Sequence, residues 1–328
     1  MLSVSTYASQ LSTQTNIQRN QQEFDRLARQ VATGVKSEDL SDYGAVDARR
    51  ILNARQEVQR LEGYNKAIDI VTPRLKAYDL QLTRMDDIAK LMSNTLSTQD
   101  AYDGTEQAGL ATLIDNVMND LTSLLNEQID GRHLWAGANY DTVPVADIAS
   151  LPTLATAAPL TAATDPDLPD YYNAAPGTDA NAWVEASFSP ETGKTVRYGQ
   201  VASAPAIQEL VHALRLAKSG LEAAAAAGDA EAAQAAYADF RQQALTAFGS
   251  ARDGLQAMSA AVGVDLASVQ DSADANAAAI NLFADEESGI TAVDTAEAGV
   301  MLTRIQTQLQ ATYQVTASLT QTSLVNYL

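Results

Sequence analysis

The stretch LEGYNKAIDIVTPRLKAYDLQLTRMDDIAKLMSNTL, residues 61–96, decides the architecture. Its apolar positions, Leu61, Tyr64, Ile68, Val71, Leu75, Tyr78, Leu82, Met85, Ala89, Met92 and Leu96, are separated by alternating steps of three and four. That spacing draws one narrow stripe along an α-helix, the heptad seam of a coiled coil. At a rise of about 1.5 Å per residue the seam is about 54 Å long. Pro73 removes a backbone donor and crowds the preceding turn, so a bend or break is expected near Thr72. Because the seam resumes in phase beyond it, a bend is the expected outcome. The matching stripe is Leu245, Phe248, Leu255, Met258 and Val262, and the two are expected to pack together.

Outward from this segment the pattern weakens. In the first thirty-five or so residues Ile17, Phe24, Leu27 and Val31 keep a heptad frame, with Val4, Tyr7 and Leu11 on a shifted one, among many Ser, Thr, Gln and Asn. Near the other end Leu302, Ile305, Leu309 and Leu319 hold a frame in which Thr312 and Thr316 occupy seam positions, and Leu324 and Leu328 follow. Helices this polar bury too little to be stable alone and are expected to form fully when something covers their stripe. Gly34 reads as the stop of the first helix, the polar loop 36–44 follows, and helical spacing restarts through Ile51 and Val58. Thr291 and Asp294 are spaced as a capping box for the last helix.

The middle differs in kind. Prolines recur from Pro144 to Pro190, which forbids long helices there. Residues 183–188 and 195–198 read as a β-hairpin around the turn 189–194. Helix is expected to resume with Ser203 as cap and Pro205 in its first turn and to stop at Ser219 and Gly220. An alanine-dense stretch then breaks at Gly228 and Asp229, with Asp229 capping the next helix. The expected fold is therefore mainly α: an elongated antiparallel coiled-coil rod made by the two halves of the chain, carrying a small β-containing insertion. Its expected division is 1–44 with 290–328 as terminal axial helices, 45–138 with 205–289 as the rod, and 139–204 as an outer insertion domain.

Composition narrows the function. The chain has 328 residues, and 41 Asp and Glu against 21 Lys and Arg leave a net charge of −20, which repels nucleic acid phosphates and anionic lipid. Neither a nucleic acid nor a membrane is expected as a partner. Cysteine is absent, so thiol nucleophiles, disulfides and Fe–S clusters are excluded. No run approaches the roughly 18 apolar residues of a membrane span. The start, MLSVSTYASQLSTQTNIQRN, lacks a basic stretch followed by an apolar run, so export, if any, is expected to use a route other than a cleavable secretory signal.

Candidate chemistry is sparse. His133 stands in DGRHLWAG, expected to be a structural turn in which Gly131 and Gly137 bound Leu134 and Trp135 as a plug at a domain junction. His212 is expected at a surface or half-buried helix position. The acidic groups Asp86 and Asp87, those within 165–170, and Asp285 to Glu287 lack the spacing of a calcium loop and read as solvated faces or caps. P-loop, GxGxxG and GxSxG patterns are missing. No catalytic, cofactor or metal residue is expected, which leaves a structural subunit ahead of a cytoplasmic helical enzyme or coiled-coil adaptor.

Several of these residues together resemble the bacterial flagellin family: Ile17, Phe24 and Leu27 leading into Ala32-Thr33-Gly34, the loop ending SDYGAVDARRI, and the terminus TAVDTAEAGVMLTRIQTQLQATYQVTASLTQTSLVNYL. Within the family, DGRHLWAG and the ending SLVNYL resemble the hook–filament junction branch more than filament flagellins, which remain the alternative. The resemblance implies a secreted structural subunit of the flagellum, exported through the flagellar type III apparatus. It implies self-assembly into a ring or tube through Leu11, Ile17, Phe24, Leu27, Val31, Leu302, Ile305, Leu309, Leu319, Leu324 and Leu328. It further implies contacts with another hook-associated protein and with flagellin, and an export chaperone at the C-terminal helix, residues 302–328.

Overall fold

The computed structural model describes residues 2–157, 161–165, 167–172, 185–188 and 195–325. Among them are six helices, α1 (Leu2–Thr33), α2 (Ala45–Thr98), α3 (Gly104–Leu125), α4 (Pro205–Ala225), α5 (Ala230–Thr291) and α6 (Thr295–Val325). Two short antiparallel hairpins join β1 (Gln128–Ile129) to β2 (Arg132–His133) and β3 (Glu185–Ser187) to β4 (Thr195–Arg197). The chain forms two compact units, residues 1–60 with 278–328, and residues 61–277.

In the second unit the seam behaves as its spacing dictates. Every seam residue from Leu61 to Leu96 is buried except the half-buried Tyr64. From Ile68 onward those buried residues share one core with Phe248, Leu255 and Val262 of α5, against which Leu245 and Met258 are also packed. The polar partners run in opposite directions along the two helices: Asn65 with Asn276, Asp79 with Ser259, Asp86 with Arg252, and the carbonyl of Leu96 with Arg241. This is the register of an antiparallel pair. Helix α2 passes through Pro73 without a break.

Helices α3 and α4 and the insertion complete that core. Ile148, Leu154, Leu168, Tyr171, Phe188 and Val196 of the insertion are buried in the same cluster as Leu121 and Leu214. The β3–β4 hairpin pairs Glu185 with Arg197 and Ser187 with Thr195. Its turn at 189–194 and the start of its first run, including Trp183, lie outside the described residues.

Three helix boundaries differ from expectation, each for a local reason. The cap of α4 is Ala204, not Ser203: Pro205, with its fixed φ and missing donor, suits the first helical position and makes the residue before it the flanking one, and the buried Ser203 offers its carbonyl to Gln208. Helix α4 does not stop at Ser219 and Gly220 but runs to Ala225. Gly220 serves packing: a Cβ there would lie 2.7 Å from the Cβ of Phe240, so the absent side chain lets α5 approach. The capping box at Thr291 and Asp294 does not form, because α5 continues through Thr291, whose hydroxyl bonds back to the carbonyl of Glu287. Asp294 alone caps α6, accepting from the amides of Ala296 and Glu297 at 2.9 and 3.0 Å. Asp229 caps α5 as expected, accepting from Ala232.

Candidate assembly surface and aromatic junction

The first unit is organised around helices α1 and α6, which pack on each other. Gly34, at φ +75°, ends α1 in a conformation that suits glycine, and its amide closes onto the carbonyl of Gln30. The residues after it clasp the α5–α6 connection. Val35 bridges Ala292, Lys36 donates to the Thr291 carbonyl at 2.8 Å, and Val293 donates to the Gly34 carbonyl at 2.9 Å. Lys36 Nζ also reaches the carbonyl of Ile290, and Gln30, buried, donates to the carbonyl of Lys36. The α2 and α5 segments of this unit are tied by Arg50 to Glu286 and Arg55 to Glu287, at 3.0 and 2.7 Å. The acidic group at 285–287 is therefore partly an ion-pairing edge rather than only a solvated face.

The expected assembly residues divide sharply by burial. Leu27 and Leu309 are buried; Ile17, Phe24, Leu302 and Ile305 are half-buried; Leu11, at 54% exposure, and Val31 are exposed. Val300, Met301, Tyr313 and Val315 of α6 are exposed as well, and Met301 and Val315, two heptads apart, share a face. The side chains of Leu319 and Leu324, and Leu328 altogether, lie outside the described residues. The helix pair thus covers one stripe and leaves others open.

The DGRHLWAG turn lies in the second unit. Asp130 and Gly131 both have positive φ, 53° and 72°, and make the two-residue turn of the β1–β2 hairpin, the geometry that Asp-Gly favours. His133 is held on both ring nitrogens, by the Asn126 carbonyl and by Gln128, each at 2.9 Å. Leu134 and Trp135 are fully buried. The Trp135 ring meets Tyr78 edge-on, 5.1 Å between centroids, and its indole N–H donates to Gln81, whose amide in turn donates to Glu127 at 2.6 Å. Tyr78 donates to the Leu134 carbonyl and accepts from the Gln200 amide, and burial pushes its phenol well above the ordinary range. Gly137, at φ 60°, donates to the Gln200 carbonyl, and Ala202 donates to the Trp135 carbonyl at 2.8 Å. The chain entering the insertion and the chain leaving it therefore run side by side, pinned to the seam of α2 through Tyr78 and Gln81. Gly131, Leu134, Trp135 and Gly137 come together here.

A second buried polar group was not legible in the sequence. His212 is fully buried, not at the surface, and its Nδ1 lies 2.8 Å from Asp165, itself buried rather than solvated. Arg215 grips both oxygens of Asp165, and also Asp167 and the carbonyl of Pro152. Burial alone would raise the Asp165 carboxyl, but the bonds from His212 and Arg215 and the guanidinium charge outweigh it and hold it below the usual range. Asp86 likewise pairs with Arg252 at 3.1 Å. Among the described residues no three His, Asp or Glu converge as metal ligands, and no helix is long and apolar enough to cross a membrane.

Comparison with known proteins gives this arrangement a family. The bacterial flagellin N-terminal helical region matches residues 4–140, and the bacterial flagellin C-terminal helical region matches residues 245–328. A search of the curated proteins gives no match. Among solved structures, a Vibrio parahaemolyticus chain described as a flagellar hook-associated protein superposes with a TM-score of 0.54 at 15% identity, covering 76% of this chain and 99% of that one. At that identity the likeness is one of fold. The two matched regions contain both helices of the terminal pair, the seam of α2 and the tryptophan turn. The chain belongs to the flagellin family and is a structural, non-enzymatic protein of the bacterial flagellum.

Proposed function

We propose that the protein is a junction subunit between hook and filament, assembling with copies of itself through α1 and α6. The observation that carries this reading is the uneven burial of the terminal pair: Leu27 and Leu309 are covered within the chain, while Leu11, Val31, Val300, Met301 and Val315 are not. Apolar stripes left open on paired helices gain from association with further helices. Residues 1–44 and 290–328 form the axial layer, 45–138 and 205–289 the rod, and 139–204 the outer part. Ordering costs about 1–2 kcal/mol per residue, so the terminal segments reach full helical order as neighbours cover them. The tryptophan turn and the ending SLVNYL favour the junction role over a filament flagellin, as does the fold shared with a hook-associated protein.

The subunit reaches its site through the flagellar type III route, with an export chaperone covering residues 302–328 in the cytoplasm, and it contacts a second hook-associated protein on one side and flagellin on the other. Electron microscopy of a deletion strain tests the reading. Intact hooks without attached filaments are expected, with labelled antibody marking a spot at the hook end. Antibody staining along whole filaments would overturn the junction role in favour of a filament subunit, and unchanged flagella would overturn both.

A further inference from the structure

One cation of the second unit is buried without a counter-charge. Arg74 of α2 is only 8% exposed, its Nε has no hydrogen-bond partner, and among the described residues no carboxylate comes within ion-pairing reach of it. Its guanidinium lies over the Tyr198 ring, 5.8 Å from the centroid. It borders a partly enclosed cavity of about 50 Å³ beside the tryptophan turn. A second cation, Arg132, lines the same cavity and lies over the Tyr140 ring, which also lines it, with its Cζ 4.4 Å from the centroid. A donor buried without an acceptor is disfavoured, so the Arg74 Nε–H, in a chain of net charge −20 that places no carboxylate beside it, has an unmet interaction rather than a spare one.

We propose that this cavity is an oxyanion site that takes a carboxylate between Arg74 and Arg132. A guanidinium edge matches a carboxylate with two parallel N–H···O bonds, and low local polarity strengthens them. Tyr140 and Tyr198 hold the two cations without neutralising them. The cavity is large enough for a carboxylate head and too small for an extended ligand. The surface of a second copy offers many carboxylates, and one of them, held by short-range pairing with the two guanidinium groups, is the favoured source. The binding chemistry is the same from either source, and it does not rest on the junction role.

The test uses the full chain, with acetate as the free probe. In thermal unfolding at constant ionic strength, replacing chloride with saturating acetate is expected to raise the transition of residues 61–277 by about 2–4 °C, and not to do so in Arg74→Gln. Arg132→Gln, at the exposed mouth, keeps folding secure and is expected to need several-fold more acetate for the same rise. Sedimentation at rising protein concentration separates the sources. Self-association at least tenfold weaker in Arg74→Gln assigns the carboxylate to a second copy; unchanged association with a lost acetate response assigns it to a free ion. If acetate acts equally on wild type and Arg74→Gln, or if neither acetate response nor association differs between them, the site is refuted.

Discussion

The unit formed by residues 1–60 with 278–328 and the unit formed by residues 61–277 use the same element, the long amphipathic helix, to opposite ends. In the second unit the stripes from Ile68 on α2 and from Phe248 on α5 close on each other, and α3, α4 and the insertion fill what remains. Even its polar groups turn inward, as Gln81 does toward Trp135 and Arg215 toward Asp165. In the first unit a weaker, frame-shifted stripe is only half covered, and Leu11 on α1 and Val315 on α6 stay in contact with solvent. The lesson is that periodicity fixes which residues share a face, while the amount of apolar area on that face fixes whether one chain can close it. A stripe of Leu, Met and Tyr completes a core; a stripe interrupted by Thr312 and Thr316 leaves work for a neighbour.

Substitutions sharpen this contrast. The largest effect is expected at the tryptophan turn. Trp135→Ala removes a fully buried ring and strands the Gln81 carbonyl, and it should destabilise residues 61–277 by about 3–5 kcal/mol in urea unfolding. If it leaves the unfolding midpoint unchanged, the second unit is not closed in the sense argued here.

Next is the buried charge group. Arg215→Leu removes the guanidinium from the buried Asp165 carboxylate, leaving it only the His212 ring and the Asp167 amide, and should cost about 3–5 kcal/mol, whereas replacing Asp165, His212 and Arg215 together by apolar residues should cost far less. The same group sets a pH dependence. Because the Asp165 carboxyl is held below its ordinary value, its contribution is fully present above about pH 4 and is lost as pH falls through the lowered folded value. Chemical unfolding followed from pH 6 to pH 2 checks the sign, and the acid loss should shrink in the apolar triple variant.

The first unit should respond more weakly and in a different measurement. Leu27→Ala, at a position 3% exposed, is expected to weaken the α1–α6 pair by about 2 kcal/mol or more. Leu11→Ala should leave the stability of the isolated chain within about 0.5 kcal/mol and act instead on self-association. Equal effects of the two on the isolated chain would break the comparison. The last contrast sets two glycines of the second unit side by side. Gly220→Ala meets Phe240 and should cost about 1–3 kcal/mol, while Gly263→Ala, with nothing within 4 Å, should stabilise its helix by about 0.5–1 kcal/mol in thermal unfolding.

Much of the fold was legible because its determinants are local. The seam from Leu61 to Leu96, the stop at Gly34 and the cap at Asp229 each rest on residues within a few turns of one another. Boundaries were misread where a neighbour in space overrode the local signal. Gly220 looks like a helix stop in sequence and is a packing site only because Phe240 faces it. The Asp130-Gly131 hairpin carries a readable signal, a turn pair that tolerates positive φ, but the sequence reading gives only a structural turn there, without the strand pair. The group of Asp165, His212 and Arg215 carried none, since 47 residues separate the carboxylate from the histidine and 50 from the arginine.

From sequence alone the protein is helical, antiparallel in plan, acidic and without thiol chemistry, because composition and spacing act on each residue wherever it folds. Tertiary structure alone decided that Tyr78 and Gln81 anchor the neck of the insertion, that Arg74 is buried without a carboxylate, and which apolar residues of the terminal pair remain uncovered. These outcomes depend on what stands opposite each side chain. That is a property of the packed chain, and no window of sequence contains it.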